Sequence, residues 1–209
     1  MVRGFDSPMV RVISTGLERE AAIVEALSDA FRDYPVMRFV IGETDDYDER
    51  LEKLVGFFVG RRLRQGGPGL GVVVDGLLAA AAVFTRPVEP EMPADVATLR
   101  DALWTELGEA ARERYGAYVA AAKTFDIGQP HHHLNMIGVR ASHQGRGLAR
   151  PILEAMRQMA AEDPRSAGVS LTTELAANVT LYERFGYRVT GHARVAPELE
   201  SWGMFLAVR

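Results

Sequence analysis

The hydrophobic period of the chain changes at one point, and this change constrains the fold more than any other feature. Before the Gly-Gly-Pro-Gly tract at 66–69, apolar residues recur at helical spacing. After it, two apolar runs follow at 70–75 and 77–84, and the Asp75-Gly76 pair between them is typical of a tight β-hairpin. The sequence therefore predicts helices first and then a sheet that begins with an antiparallel hairpin.

The rest of the chain mixes helical and strand periods. The predicted helices are 17–31, 48–64, 94–118, 147–162 and 177–185. The predicted strands are 10–13, 70–75, 77–84, 131–139, 168–174, 187–193 and 203–208. Pro35 limits the first helix, and no linker or internal repeat divides the chain. These elements predict one mixed α/β domain over residues 1–209.

Charge and residue content exclude several classes of function. The chain has 24 basic and 28 acidic residues and a formal net charge of −4, whereas nucleic-acid-binding proteins usually have a basic excess. It has no cysteine, so disulfides, thiolate metal sites and a cysteine nucleophile are excluded. Residues 1–6 lack the pattern of a signal peptide, and the longest apolar run, 77–84, is too short to cross a bilayer. We expect a cytoplasmic protein that binds neither nucleic acid nor a membrane.

The segment 137–149 combines the features of an anion-binding site. An apolar strand leads into a loop with Gly145 and Gly147, and an amphipathic helix follows. Free backbone N–H groups at a helix N-terminus bind phosphate groups, and glycines let the backbone approach them closely. No Lys-Ser or Lys-Thr pair follows the glycines, and the spacing is not Gly-x-Gly-x-x-Gly. A P-loop is therefore excluded, and a Rossmann dinucleotide site is disfavoured.

Two motifs in this region resemble the GNAT superfamily of acyl-CoA-dependent N-acyltransferases. Gln144-x-x-Gly147-x-Ala149 is similar to the pyrophosphate loop of that family, whose pattern reads Gln/Arg-x-x-Gly-x-Gly/Ala. The segment 178–187 resembles the family's Asn-x-x-x-Tyr-x-(+)-x-Gly-Phe/Tyr segment, and the two motifs occur in the family's order. The resemblance covers 132–187. It implies a GNAT-like single domain with a central, mixed, mostly antiparallel twisted sheet flanked by helices.

The resemblance also implies acetyl-CoA as the acyl donor, and we expect no metal. The backbone of Ile137, Gly138 and Val139 would face the pantetheine arm, and Asn178 would bond to the same part of the donor. Tyr182 would protonate the leaving thiolate as a general acid. The pyrophosphate would bind to the backbone N–H groups of Gln144, Gly145, Arg146, Gly147, Leu148 and Ala149.

The motifs do not identify the base that deprotonates the amine. His131, His132 and His133 are candidates because histidine titrates near neutral pH, and alternation along a strand puts His131 and His133 on one face. Glu174, at the end of a predicted strand, is the second candidate, with a solvated carboxylate as the alternative reading. Asn135 could orient a substrate. Three consecutive histidines on a strand cannot converge on one metal ion, so no metal site is predicted.

Other charged and aromatic residues have simpler explanations at this level. The basic run at 61–64 is favourable at a helix C-terminus. Trp104, Tyr115 and Tyr118 fit packing on one long helix. Trp202, placed just before the last strand, is a candidate for the acceptor cleft.

We interpret the chain as an N-acetyltransferase that moves an acetyl group from acetyl-CoA directly to an amine in a ternary complex. The acceptor is a small-molecule or peptide amine, and the net negative charge mildly favours a cationic one. A terminal strand or the long helix could pair two copies as a homodimer. Two alternatives stay open, a CoA-binding sensor module without transfer activity and a nucleotide-binding protein that uses the same anion site.

Overall fold

The computed structural model describes residues 10–209, so the segment examined for a signal peptide, 1–6, lies outside the described residues. The described chain is a seven-stranded sheet with helices on both faces. The strands are β1 (Val10–Thr15), β2 (Gly69–Val74), β3 (Leu77–Thr85), β4 (His132–Val139), β5 (Gly168–Thr173), β6 (Arg188–Ala196) and β7 (Leu199–Ala207). The helices are α1 (Glu20–Phe31), α2 (Pro35–Ile41), α3 (Tyr47–Arg64), α4 (Ala94–Leu107), α5 (Glu109–Ala122), α6 (Ala149–Glu162) and α7 (Ala176–Arg184).

The sheet has the strand order β1-β2-β3-β4-β5-β7-β6. Every neighbouring pair is antiparallel except β4 and β5, which run parallel. The parallel pair is short, because only His132, His133 and Leu134 have partners on β5. Beyond that point β4 and β5 part, and the gap between them opens in the middle of the sheet.

Each face of the sheet has its own apolar core. Helices α1 to α5 cover one face, where Leu27, Leu54 and Val59 are fully buried. Helix α6 covers the other with Ile152 and Met156. The run of alanines in β3 serves both cores, because alternate residues of a strand point to opposite faces. The mixed α/β fold with a mostly antiparallel sheet, expected from the sequence, is confirmed.

The structure differs from the predicted elements at several points. The helix predicted over 94–118 is two helices, because Gly108 adopts φ +85° and ends α4 before α5 begins. Pro35 does not only end a helix, since it occupies the first turn of α2, where its missing N–H costs nothing. The last two strands form a longer hairpin than predicted, and Trp202 lies within β7 rather than before it. Within residues 10–209, no helix is long and apolar enough to cross a membrane.

Candidate active site

The gap between β4 and β5 forms a cavity of about 380 Å³. Its walls come from both strands and from helices α1, α2, α3, α5 and α7. Four residues singled out in the sequence, His133, Glu174, Asn178 and Tyr182, line this one cavity, and so does Ile137 of the pantetheine-facing segment. The fold therefore brings His133 of β4 to the same cavity as Glu174 and Tyr182, which lie about forty residues or more further along the chain.

Tyr182 presents a protonated phenol to the cavity. Its side chain is buried on α7, and its ring packs against Tyr187 with the ring centroids 5.7 Å apart. Burial, and secondly the charge of Glu174, raise the pKa of Tyr182 above its ordinary value of 10.0. The hydroxyl therefore keeps its proton at neutral pH and is available as a proton donor.

Glu174 is a buried carboxylate held by hydroxyl groups. It follows β5 directly, and its Oε1 accepts hydrogen bonds from Ser201 Oγ (2.8 Å) and from the Tyr118 hydroxyl (3.2 Å). Its backbone N–H donates to the Tyr34 hydroxyl at 3.1 Å. Burial raises the pKa of Glu174 above the usual 4.5, while the hydrogen bonds from Ser201, Tyr34 and Tyr118 oppose the rise. The alternative reading as a solvated carboxylate is wrong, because the residue is only 7% exposed.

His133 is a weaker candidate base than Glu174. Its Nδ1 lies 2.7 Å from Ser170 Oγ on β5, and it borders both the main cavity and a more open one of about 490 Å³. Burial lowers the pKa of His133 to about 4, so the imidazole is neutral at pH 7 and attracts a proton weakly. His131 faces the second cavity with His133, whereas His132 points to the other face and contacts Ser166.

Two asparagines supply amide groups to the cavity. Asn178 is the third residue of α7 rather than its N-cap, and its Nδ2 donates to Thr173 Oγ1 at 3.2 Å. Asn135 lies where the β3–β4 register shifts, because Val83 pairs with Met136 and the next residue pairs with Leu134. Its Oδ1 is buried and has no hydrogen-bond partner within residues 10–209. A buried acceptor without a donor is costly, so this oxygen is available to accept a hydrogen bond from a molecule in the cavity.

The loop after β4 has the conformation of an anion-binding turn. Gly145 and Gly147 both adopt φ +74°, a region that glycine enters without strain, and the space beside each is open. In the described part of the chain, the N–H groups of residues 145–148 donate to no backbone carbonyl. Helix α6 starts at Ala149, two residues later than predicted, with Leu148 as its N-cap. The positive end of its dipole therefore lies directly behind these free donors.

The neighbouring residues hold this loop in place. Gln144 Nε2 donates to the carbonyl of Val139 at 3.2 Å, and the Ala141 N–H donates to Asp29 on α1 at 2.6 Å. Gly138 has a packing role, because a Cβ there would lie 2.6 Å from the Cβ of Ala30. The side chain of Arg146 is exposed. Beyond Leu134, the backbone of β4 has no partner strand on the side of the gap.

The sequence missed much of the opposite wall of the cavity. The sequence predicts only packing or helix-terminus roles for four residues that line the cavity, Tyr115, Tyr118, Arg61 and Arg62. Trp202 is not among the lining residues, because its ring stacks on His192 with the centroids 4.8 Å apart. Within residues 10–209, no three His, Asp or Glu side chains are grouped so that they could hold a metal ion.

Several known proteins with the same fold as this chain are acetyltransferases. Residues 105–206 match the family model described as the acetyltransferase (GNAT) domain. One similar solved structure is from Corynebacterium glutamicum and is described as histone acetyltransferase HPA2 and related acetyltransferase. It is 19% identical to this chain with a TM-score of 0.73, and the match covers 96% of each chain. Polyamine N-acetyltransferase of Drosophila melanogaster is 16% identical over 94% of this chain and 98% of its own, with a TM-score of 0.62. Arylalkylamine N-acetyltransferase 2 of Aedes aegypti is 13% identical over 96% and 100%, with a TM-score of 0.64.

Proposed function

Since residues 105–206 match the model of the acetyltransferase (GNAT) domain, we propose that this chain transfers acetyl from acetyl-CoA to an amine. The transfer is direct and takes place in a ternary complex. The observation that carries the proposal is the position of Tyr182 and Glu174 in one cavity, at the gap between β4 and β5. The acceptor is a small-molecule or peptide amine.

The loop and the open strand fit the donor. The free N–H groups of residues 145–148, with the α6 dipole behind them, suit a pyrophosphate. From Asn135 to Val139, β4 pairs with β3 on one side, and on the side of the gap its backbone offers donors and acceptors to an extended arm with amide groups, such as pantetheine. Asn178 lies in the cavity wall beside this strand, where its amide can bond to the same arm.

Glu174 and Tyr182 divide the proton transfers. Glu174 takes the proton of the attacking amine, since burial has raised its pKa toward that of a useful base. The amine nitrogen then forms its bond to the acetyl carbon, and an N–H of the open β4 backbone stabilises the negative charge on the oxygen. Tyr182 donates its proton to the sulfur as the carbon–sulfur bond breaks, so the products are the N-acetyl amide and CoA thiol.

Isothermal titration with acetyl-CoA is the first test. We expect one site with a Kd in the range of about 1 to 50 μM, and ATP should compete poorly. A thiol-release assay over a panel of amines then separates an enzyme from a sensor module. Binding of acetyl-CoA without transfer to any amine would favour the sensor, and preferential binding of ATP would favour a nucleotide-binding protein.

A further inference from the structure

The charges around the cavity are unevenly distributed. Among the lining residues that the structure describes, Glu174 is the one carboxylate, whereas Arg61, Arg62 and Lys123 are cations. Glu174 is held in its cluster of hydroxyl groups. The net charge of the whole chain is −4, so a wall with more cations than carboxylates is a local feature of this cavity.

Arg61 differs from its two neighbours on α3. Arg62 pairs with Glu89 at 3.0 Å, and Arg64 pairs with Glu20 at 2.9 Å. Within residues 10–209, no carboxylate lies within ion-pair distance of Arg61, although its side chain lines the cavity. All three arginines lie in the last turn of α3, where a cation is favourable. The helix terminus explains why arginines occur here but not why one of them faces a cavity without a partner.

Aromatic rings separate this cation from the carboxylate. Tyr118 bonds to Glu174 through its hydroxyl, and its ring lies 6.5 Å from that of Tyr115. Tyr115 lies 5.4 Å from Phe58, which is one helical turn before Arg61 on α3. Arg61 and Arg62 are both close enough to Tyr115 to lower its pKa, against the larger raising effect of burial. The cavity thus has a carboxylate end, an apolar aromatic middle and a guanidinium end.

We propose that the acceptor amine carries an anionic group, a carboxylate or a phosphate, at the end away from its nitrogen, and that Arg61 binds this group. The inference rests on the proposed function, because it places the nitrogen beside Glu174 and Tyr182. A charged guanidinium facing an apolar wall binds an anion more strongly than it does at an open surface. A second cation at the distal end of the acceptor would instead be repelled by Arg61. The uneven lining therefore disfavours diamines, despite the negative net charge of the chain.

The test uses three acceptors of equal length that differ only at the distal end. These are 6-aminohexanoate, hexylamine and 1,6-diaminohexane, and kcat/KM is measured for each with the wild type and Arg61→Gln. We expect 6-aminohexanoate to be the best acceptor of the wild type. In Arg61→Gln its kcat/KM should fall by about 10- to 100-fold, the effect of losing one charge-assisted hydrogen bond. The loss should appear in KM rather than kcat, and hexylamine should change by less than about 2-fold.

Arg64→Gln is the matched control, because it removes a cation from the same helical turn but not from the cavity wall. It should leave the ranking of the three acceptors unchanged. A wild type that prefers 1,6-diaminohexane or hexylamine, or an Arg61→Gln variant that keeps the full preference for 6-aminohexanoate, overturns the inference while the acetyltransferase function stands. Absence of transfer to all three acceptors and to the wider amine panel overturns the proposed function and the inference with it.

Discussion

The loop after β4 and the wall formed by α2, α3 and α5 are built in different ways. The loop presents backbone N–H groups from four consecutive residues, 145–148, and two glycines set their direction. The wall presents side chains such as Val36, Arg61 and Tyr118, which come from three separate helices. A site made of backbone groups can bind the same ligand group whatever the side chains are. In a wall made of side chains, amino-acid substitutions can change which substrate binds. If the proposed function holds, substitutions in the loop should alter donor binding, and substitutions in the wall should alter acceptor choice.

Replacing Tyr182, the proposed general acid, should have the largest effect on activity. Tyr182→Phe removes only the hydroxyl, so we expect kcat to fall by about 10²- to 10⁴-fold while the Kd for acetyl-CoA stays nearly constant. Tyr187→Phe is the control. The Tyr187 ring packs against Tyr182, and its buried hydroxyl has no hydrogen-bond partner in the described chain. If Tyr182→Phe keeps wild-type turnover, Tyr182 is a packing residue.

Replacing the buried carboxylate should have the next largest effect. Glu174→Gln should lower kcat/KM by about 10²-fold, because the amine loses its base. The pKa of Glu174 is raised, so in the wild type kcat/KM should fall with decreasing pH at a midpoint above 4.5. This acid limb should be absent in Glu174→Gln.

Glu183, an exposed carboxylate next to Tyr182, provides a control for a change of charge alone, and Glu183→Gln should keep the wild-type dependence of kcat/KM on pH.

The raised pKa of Glu174 also affects stability. The folded state binds the proton of Glu174 more tightly than the unfolded chain does, so the protein loses stability as the pH rises from the unfolded-state pKa of Glu174 to its folded-state pKa. At a pH above the folded-state pKa of Glu174, urea unfolding should therefore give Glu174→Gln a larger free energy of unfolding than the wild type. An identical acid limb in the two proteins would exclude Glu174 as the base.

Gly147→Ala tests the backbone region without touching the wall. A side chain at φ +74° costs about 1–2 kcal/mol, and relief of that strain turns the N–H groups away, so the Kd for acetyl-CoA should rise roughly 10-fold. Gly76→Ala imposes a similar strain (φ +84°) in the β2–β3 turn, where a Cβ also meets open space. Calorimetry should find a similar loss of thermal stability in both variants and weaker donor binding in Gly147→Ala alone. Equal donor affinity in the two would mean that this loop does not bind the donor.

His133→Asn should have the smallest effect on activity, a change in kcat/KM of less than about 3-fold at pH 7. The pKa of His133 is about 4 in the folded state and near 6.5 in the unfolded chain, so protons favour unfolding as the pH falls from about 6.5 to 4. Urea unfolding over this range should show that the variant loses less stability than the wild type. A large loss of turnover at pH 7 would instead assign the base to His133.

The two regions also differ in how far the sequence predicts them. The loop could be located from its glycines between an apolar strand and an amphipathic helix, together with the second motif at 178–187, because a turn of consecutive residues leaves a local pattern. Tyr34 and Ser201 left no pattern, since each reaches Glu174 from an element that is distant in sequence. The break at Gly108 was missed because a single glycine inside a helical pattern does not show whether the helix ends there. The sequence places Arg61 at a helix terminus, but its position in the cavity wall depends on how α3 packs against the other elements.

The central claim is direct transfer between two bound substrates, and rapid-quench measurement of CoA release tests it most directly. The protein is mixed with acetyl-CoA either alone or with an amine acceptor that the panel has identified. We predict that CoA and the N-acetyl amide appear together in equal amounts, and that neither appears without the amine. The intact mass of the protein should stay unchanged throughout. A burst of CoA in the absence of the amine, with a matching increase in the mass of the chain, would show an acetyl-enzyme intermediate and contradict direct transfer.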